Sequence, residues 1–140
     1  LVVKGTMGMS APDFRETDLS WNEATFAHDI SPDGKRLLIG GGGGWNSEGV
    51  RQTLYLRSSD GALPTRLGEA ASARAVSPDG ARVLLRKNLG KLLDSPHVLV
   101  STQGAPTREV KGIEPGEVPM RWNADGTAIY VFNREGLAWS

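Results

Sequence analysis

The sequence predicts an all-β chain built from repeated four-stranded antiparallel units. Three observations carry that expectation. The turn motif Ser31-Pro32-Asp33-Gly34 returns as Ser77-Pro78-Asp79-Gly80 and, altered, as Asn123-Ala124-Asp125-Gly126, 46 residues apart at each step. Short apolar or alternating runs flank every copy, and no segment sustains helical periodicity. Gly (18) and Pro (8) are abundant among the 140 residues, which suits many turns joining short strands. A fixed period of this length marks stacked supersecondary units.

The elements follow in order. Residues 1–21 read as the tail of a preceding unit: Leu1-Val2-Val3, a strand at Met7-Gly8-Met9, a turn at Ala11-Pro12-Asp13 and a return at Arg15–Leu19. Residues 22–68 form a complete unit. Its first strand is Ala27–Ile30; the Asp-Gly turn reverses the chain, because Gly accepts the positive φ a tight hairpin needs and Pro presets the first corner. Arg36–Ile39 is the second strand, alternating Thr53–Arg57 the third, and Thr65–Leu67, after the Asp60-Gly61 turn, the fourth. Residues 69–113 repeat this plan with Ala73–Val76, Arg82–Leu85, His97–Val100 and Thr107–Val110. Residues 114–140 then supply Pro119–Trp122, Ala128–Phe132 and the start of a third strand ending at Leu137–Ser140.

Four short strands per roughly 45 residues is the unit of a β-propeller blade. A sandwich has comparable strand density but no such echo, and a parallel solenoid has no use for three hairpins per repeat. The chain therefore reads as one partial propeller domain, without internal linkers. About three blades' worth of strands cannot close a ring of about four to eight. The rest is expected from further blades of the same chain or from self-association.

The Ser-Pro-Asp-Gly turns at 31–34 and 77–80 resemble the PD40 (WD40-like) repeats of TolB-type propellers, which are usually six-bladed. Asp18–Trp21, His28–Lys35, Leu54–Arg57, Asp60-Gly61 and Arg66–Glu69 resemble propellers attached to bacterial serine/threonine protein kinases. The third turn departs from the pattern by losing Ser and Pro, and no Trp-Asp dipeptide closes a third strand. The resemblance implies a binding or sensor module of a bacterial signalling protein, with a protein, peptide or small ligand as partner and an extracytoplasmic setting. Two alternatives stay open: the substrate-gating propeller of a prolyl-oligopeptidase-type serine hydrolase, and a periplasmic TolB-like partner of envelope proteins.

Candidate chemistry is sparse. Asp33, Asp79 and Asp125 recur once per unit, so they spread around a ring rather than converge on a metal; with Gly34, Gly80 and Gly126 they are expected to build turns. The run Gly40–Gly44 lacks the Lys-Ser/Thr and helix of a phosphate loop and is expected to be a flexible connection between second and third strands. One rim would gather 40–51 and 88–96 with 20–26, 68–72 and 112–118. Trp21, Trp45, Asn46 and Glu48 are the candidate ligand or partner residues there, since aromatics commonly anchor interfaces. His28 and His97 fall in different units, and Trp122, equivalent to Ile30 and Val76, is expected in the core.

Composition removes several function classes. Sixteen Lys+Arg balance sixteen Asp+Glu, so the basic footprint of a nucleic-acid binder is missing. Cysteine is absent, and with it disulfides, thiolate nucleophiles and Cys-based zinc sites. No apolar stretch approaches the ~20 residues of a membrane-spanning helix. No nucleophile elbow or kinase motif is present: Gly8-Met9-Ser10-Ala11-Pro12 fails at its last position. No catalytic role, cofactor or metal is expected for this segment.

Overall fold

A computed structural model describes residues 6–21, 25–46, 49–70, 72–87, 96–114 and 116–133. Twelve strands make up its regular structure: β1 (Met7–Ser10), β2 (Arg15–Asp18), β3 (Thr25–Ile30), β4 (Arg36–Asn46), β5 (Gly49–Ser58), β6 (Thr65–Ala70), β7 (Ser72–Val76), β8 (Arg82–Arg86), β9 (His97–Ser101), β10 (Arg108–Glu109), β11 (Glu117–Trp122) and β12 (Ile129–Asn133). They pair antiparallel into four sheets, β1-β2, β3-β4-β5-β6, β7-β8-β9-β10 and β11-β12. The described residues contain no helix. The chain is all-β, and each sheet is a simple meander whose strands follow chain order.

The sheets stack in sequence, and strand alternation decides which side chain enters which layer. Leu37 and Ile39 of β4 pack with Leu19 on the side of β1-β2, with Trp21 and Tyr55 against them. Leu38 points the other way and joins Leu54, Leu56 and Ala70 in a core shared with Ala73, Val76, Val83, Leu85 and Val98 of the next sheet. The first strands lie side by side, β3 against β7 and β7 against β11. Asp29 ties the first two together, its Oδ2 accepting the Val76 amide at 2.7 Å.

The repeat extends to an irregularity that a hydropathy pattern does not reveal. The first strand of each complete unit carries a register shift, between Ala27 and Asp29 in β3 and between Ala73 and Ala75 in β7. In β11 the shift lies between Pro119 and Arg121. The extra residues are His28, Arg74 and Met120, again 46 apart. A bulge bends the strand and re-aims one side chain, so every unit turns the same residue position out of the ladder.

Two expectations are corrected. Gly40–Gly44 is not a loop: β4 continues through it to Asn46 and pairs with β5 at Gly44↔Arg51, Trp45↔Val50 and Asn46↔Gly49, after a shift between Gly41 and Gly44. Backbone ladder bonds need no side chain, and a Cβ at Gly40 would lie 2.1 Å from Gln52 Oε1 and 2.7 Å from His28 Nε2. Glycine there makes room for a cross-strand contact. The second correction is a boundary. Glu69 and Ala70 pair with Thr53 and Gln52, so they finish the first four-stranded sheet rather than begin the second. Leu1–Val3 and Leu137–Ser140 lie outside the described residues.

Candidate functional site

The stack has two ends, and their polar chemistry differs. At one end sit the Asp-Gly turns. In the first, the Ser31 hydroxyl donates to Asp33 Oδ1 at 2.5 Å, the same oxygen accepts the Lys35 amide at 3.0 Å, and Ser31 Oγ accepts the Arg36 amide at 2.9 Å. Gly34, at φ 70°, closes the turn by donating to the Ser31 carbonyl at 2.8 Å. The second turn repeats these bonds through Ser77, Asp79, Ala81 and Arg82, with Gly80 at φ 67°. Ser31 and Ser77 are buried yet fully used, which is the condition for burying a hydroxyl without loss.

The third turn reaches the same geometry with different atoms. Asn123 Oδ1 accepts the Ala128 amide at 2.9 Å, as the serine hydroxyls do elsewhere. Thr127 replaces the lost serine donor, its hydroxyl reaching Asp125 Oδ1 at 2.6 Å and its amide at 3.1 Å. Gly126 keeps φ at 72°. All three carboxyls are held below the usual aspartate range: Asp33 and Asp79 chiefly by their serine hydroxyls, Asp125 by that of Thr127, with backbone amides next. In each acid Oδ1 is tied to its own turn.

Arginine clasps join successive turns. Arg36 Nη1 donates to the Gly80 carbonyl at 3.3 Å, and Arg82 Nη2 to that of Gly126 at 3.2 Å. Gly80 leaves space for the first clasp, since a Cβ there would stand 3.0 Å from Arg36 Cδ. Trp122 is buried, and Arg82 lies over its ring.

The opposite end, where β4 meets β5 and β6 leads into β7, holds the candidate rim. Trp21 is half-buried and packs edge-on against Tyr55, ring centres 6.3 Å apart. Its amide donates to Thr25 Oγ1 at 2.8 Å, and that hydroxyl also bonds the Trp21 carbonyl. Trp21 is therefore held between two layers. Trp45 and Asn46 end β4, paired through the backbone with Val50 and Gly49. Glu48 lies outside the described residues. His28 Nε2 meets Gln52 Oε1 at 2.9 Å above Gly40; the ring also borders a cavity of about 520 Å³ between the first two sheets, with Met7, Met9, Leu19 and Leu37.

Next to it on the same rim is a group that motif reading passed over. His97 opens β9, with Arg86 directly opposite on β8 and Ser72 beyond it on β7. Burial, then Arg74, then Arg86 hold the His97 imidazole below the ordinary histidine range. Arg51 and Lys87 border a further cavity of about 210 Å³ with Glu69 and Ala70. The signal was present in the repeat: Arg74 and Arg86 stand 46 residues after His28 and Gly40, so this unit carries two arginines where its predecessor has an imidazole and no side chain.

Among the described residues no group of three or more His, Cys, Asp or Glu could hold a metal ion. No helix there is long and apolar enough to cross a membrane. No protein-family model, curated protein or solved structure matches the chain.

Proposed function

We propose that the chain is a run of TolB-type β-propeller blades acting as a non-catalytic binding module, with its ligand surface on the rim where second strands pass to third strands. The blade reading is supported by meanders of four strands, by first strands lying side by side, and by turns, bulges and clasps that share one period. Propellers host unrelated functions on one scaffold, so the binding role rests on the site alone.

One observation carries it: the two ends of the stack use their polar groups differently. At the Asp-Gly end each carboxylate is tied to its own turn. At the other end Arg51, Arg74, Arg86, Lys87 and His97 gather around adjoining sheets, although the chain as a whole has no net charge. Glu69 is the acid lining the cavity of Arg51 and Lys87, and Arg86 has no ion pair among the described residues, so positive charge stays in excess there and repels itself. Such a concentration in a balanced chain suits a partner that brings negative charge, most simply an acidic peptide or loop of a signalling protein.

The test is selection of peptides from a random library on the immobilised chain, followed by mapping of the selected sequences through amide chemical shifts. Acidic sequences that shift Ser72, Arg86 and Lys87 while leaving Gly34, Gly80 and Gly126 unmoved are expected. Selected peptides that perturb only the Asp-Gly turns would remove this assignment of the binding rim.

A further inference from the structure

Three polar side chains form a row across the second four-stranded sheet. Ser72 pairs with Arg86, and Arg86 pairs with His97. Directly opposed residues of antiparallel strands share a face, their Cβ atoms about 4.5–5.5 Å apart. All three side chains thus stand together on the face that carries Leu84 and Leu99, which pair one step further along the same strands.

Each residue is half-buried. Each also holds a polar atom that is closed off from solvent and has no hydrogen-bond partner: Ser72 Oγ, Arg86 Nε and His97 Nε2. Buried polar atoms are nearly always satisfied, and one that is not commonly marks a place for a water, an ion or a ligand. Here three of them occupy consecutive cross-strand positions. No carboxylate among the described residues forms an ion pair with Arg86. The row is rich in donors and positive charge and poor in acceptors.

We propose that Ser72, Arg86 and His97 bind one oxyanion group, a phosphoryl or a carboxylate, presented by the ligand of this rim. Arg86 contributes the fixed fork of N–H donors that suits such oxygens. The Ser72 hydroxyl donates from one side, and His97, its pKa lowered by burial and then by Arg74 and Arg86, donates from the other. Bound negative charge then favours the imidazolium and adds a charge-assisted bond. The preceding sheet has no counterpart, because Gly40 stands where this sheet has Arg86 and Leu54 opposes it in the place of His97. The site belongs to one unit, as a specific contact does, and not to the repeat.

The inference deepens the rim assignment and rests on it, but it fails separately. Titrate the chain with inorganic phosphate, and in a second series with acetate, at constant ionic strength set by chloride, following the His97 ring protons. A saturable shift is expected with at least one anion, and the stronger of the two identifies the group. Arg86→Gln should weaken that binding about tenfold or more, Ser72→Ala less, and Arg108→Gln, on exposed β10, should leave it unchanged. If Arg86→Gln does not fold, Ser72→Ala and the unmodified chain still decide the matter. A flat titration with both anions, or equal affinity in Arg86→Gln and Arg108→Gln, overturns the proposal. Peptides that map to the rim while both anions leave His97 unmoved would retain the binding rim and remove the oxyanion site.

Discussion

The guanidinium of Arg82 in β8 lies 4.9 Å from the ring centre of Trp122 in β11, the first strand of the next sheet. The same side chain donates to the Gly126 carbonyl at 3.2 Å. One residue thus holds both the core and the turn of its neighbour. Arg36, 46 residues earlier, makes only half of this contact: it reaches the Gly80 carbonyl at 3.3 Å, but Val76 stands where Trp122 does. In the third copy the position is Ala128, so the forward reach is made twice.

This asymmetry predicts unequal costs. Arg36→Ala loses a hydrogen bond from a charged donor, about 1 kcal/mol net. Arg82→Ala loses the equivalent bond and a cation–π contact of about 0.5–2 kcal/mol, for a total of about 1.5–3 kcal/mol. The Arg82–Asp79 pair, at 4.0 Å and exposed on both sides, adds little. Urea denaturation of the two variants checks this, and equal midpoints would mean that the Trp122 contact contributes nothing.

Gly34 and Gly80 separate conformational strain from packing. Both have φ near 70°, where an L side chain costs about 1–2 kcal/mol. A Cβ at Gly34 meets nothing within 4 Å, whereas at Gly80 it would press on Arg36 Cδ at 3.0 Å. Gly80→Ala is therefore expected to destabilise more than Gly34→Ala, and Arg36→Ala should close most of the gap. Denaturation midpoints of the four variants measure it directly.

Much of this framework is legible in the sequence, for a physical reason. Asp-Gly turns, alternating strands and their spacing are local properties, so the two complete meanders and the terminal hairpins follow from residues close in the chain. The glycine run misled because its pairing is not local: Gly40 pairs with Phe26 and Leu54 and leaves room for Gln52 and His28, none of which a window around 40–44 contains. The rim residues are likewise told apart only by contacts across the sheets. Trp21 stood out by residue type, yet it packs between layers against Tyr55. Arg86 and His97 are unremarkable in sequence and gain meaning only through cross-strand register.

Gly40 offers a direct test of that non-local control. Gly40→Ala sets a methyl 2.1 Å from Gln52 Oε1 and 2.7 Å from His28 Nε2, so the 2.9 Å bond between them must break. The clashing atoms are the ends of side chains that can swing away, so the cost is that of the lost bond, about 0.5–1.5 kcal/mol. The double variant Gly40→Ala/Gln52→Ala should recover part of that loss, because the closest atom is then gone. Additive destabilisation in a double-mutant cycle would show that the glycine is required by the backbone and not by the bridge.

The His97 ring gives a pH readout. Burial lowers its pKa first, with Arg74 and Arg86 adding to the effect. A histidine whose pKa is depressed in the folded state contributes stability that is intact above its unfolded pKa of about 6.5 and declines as pH falls through the folded value. Arg86→Met removes one repelling charge while keeping a long side chain. Its His97 should titrate at higher pH than in the unmodified chain, as followed by ring-proton shifts, and an unchanged titration would place Arg86 too far away to matter.

Acid should loosen the Asp-Gly end by the same linkage with a different set of groups. The carboxyls of Asp33, Asp79 and Asp125 are all lowered, first by a hydroxyl and then by an amide. Their contribution is complete above the usual aspartate value and is lost as pH falls through the folded one, so stability should decline below about pH 4. Ser77→Ala removes the largest cause of the Asp79 shift together with the bond to the Arg82 amide. That variant should be less stable at neutral pH by about 1 kcal/mol or more and should lose less on acidification. Thermal melts across pH 3–7 measure both effects. Parallel curves for Ser77→Ala and the unmodified chain would mean that the serine hydroxyl does not set the charge of its turn.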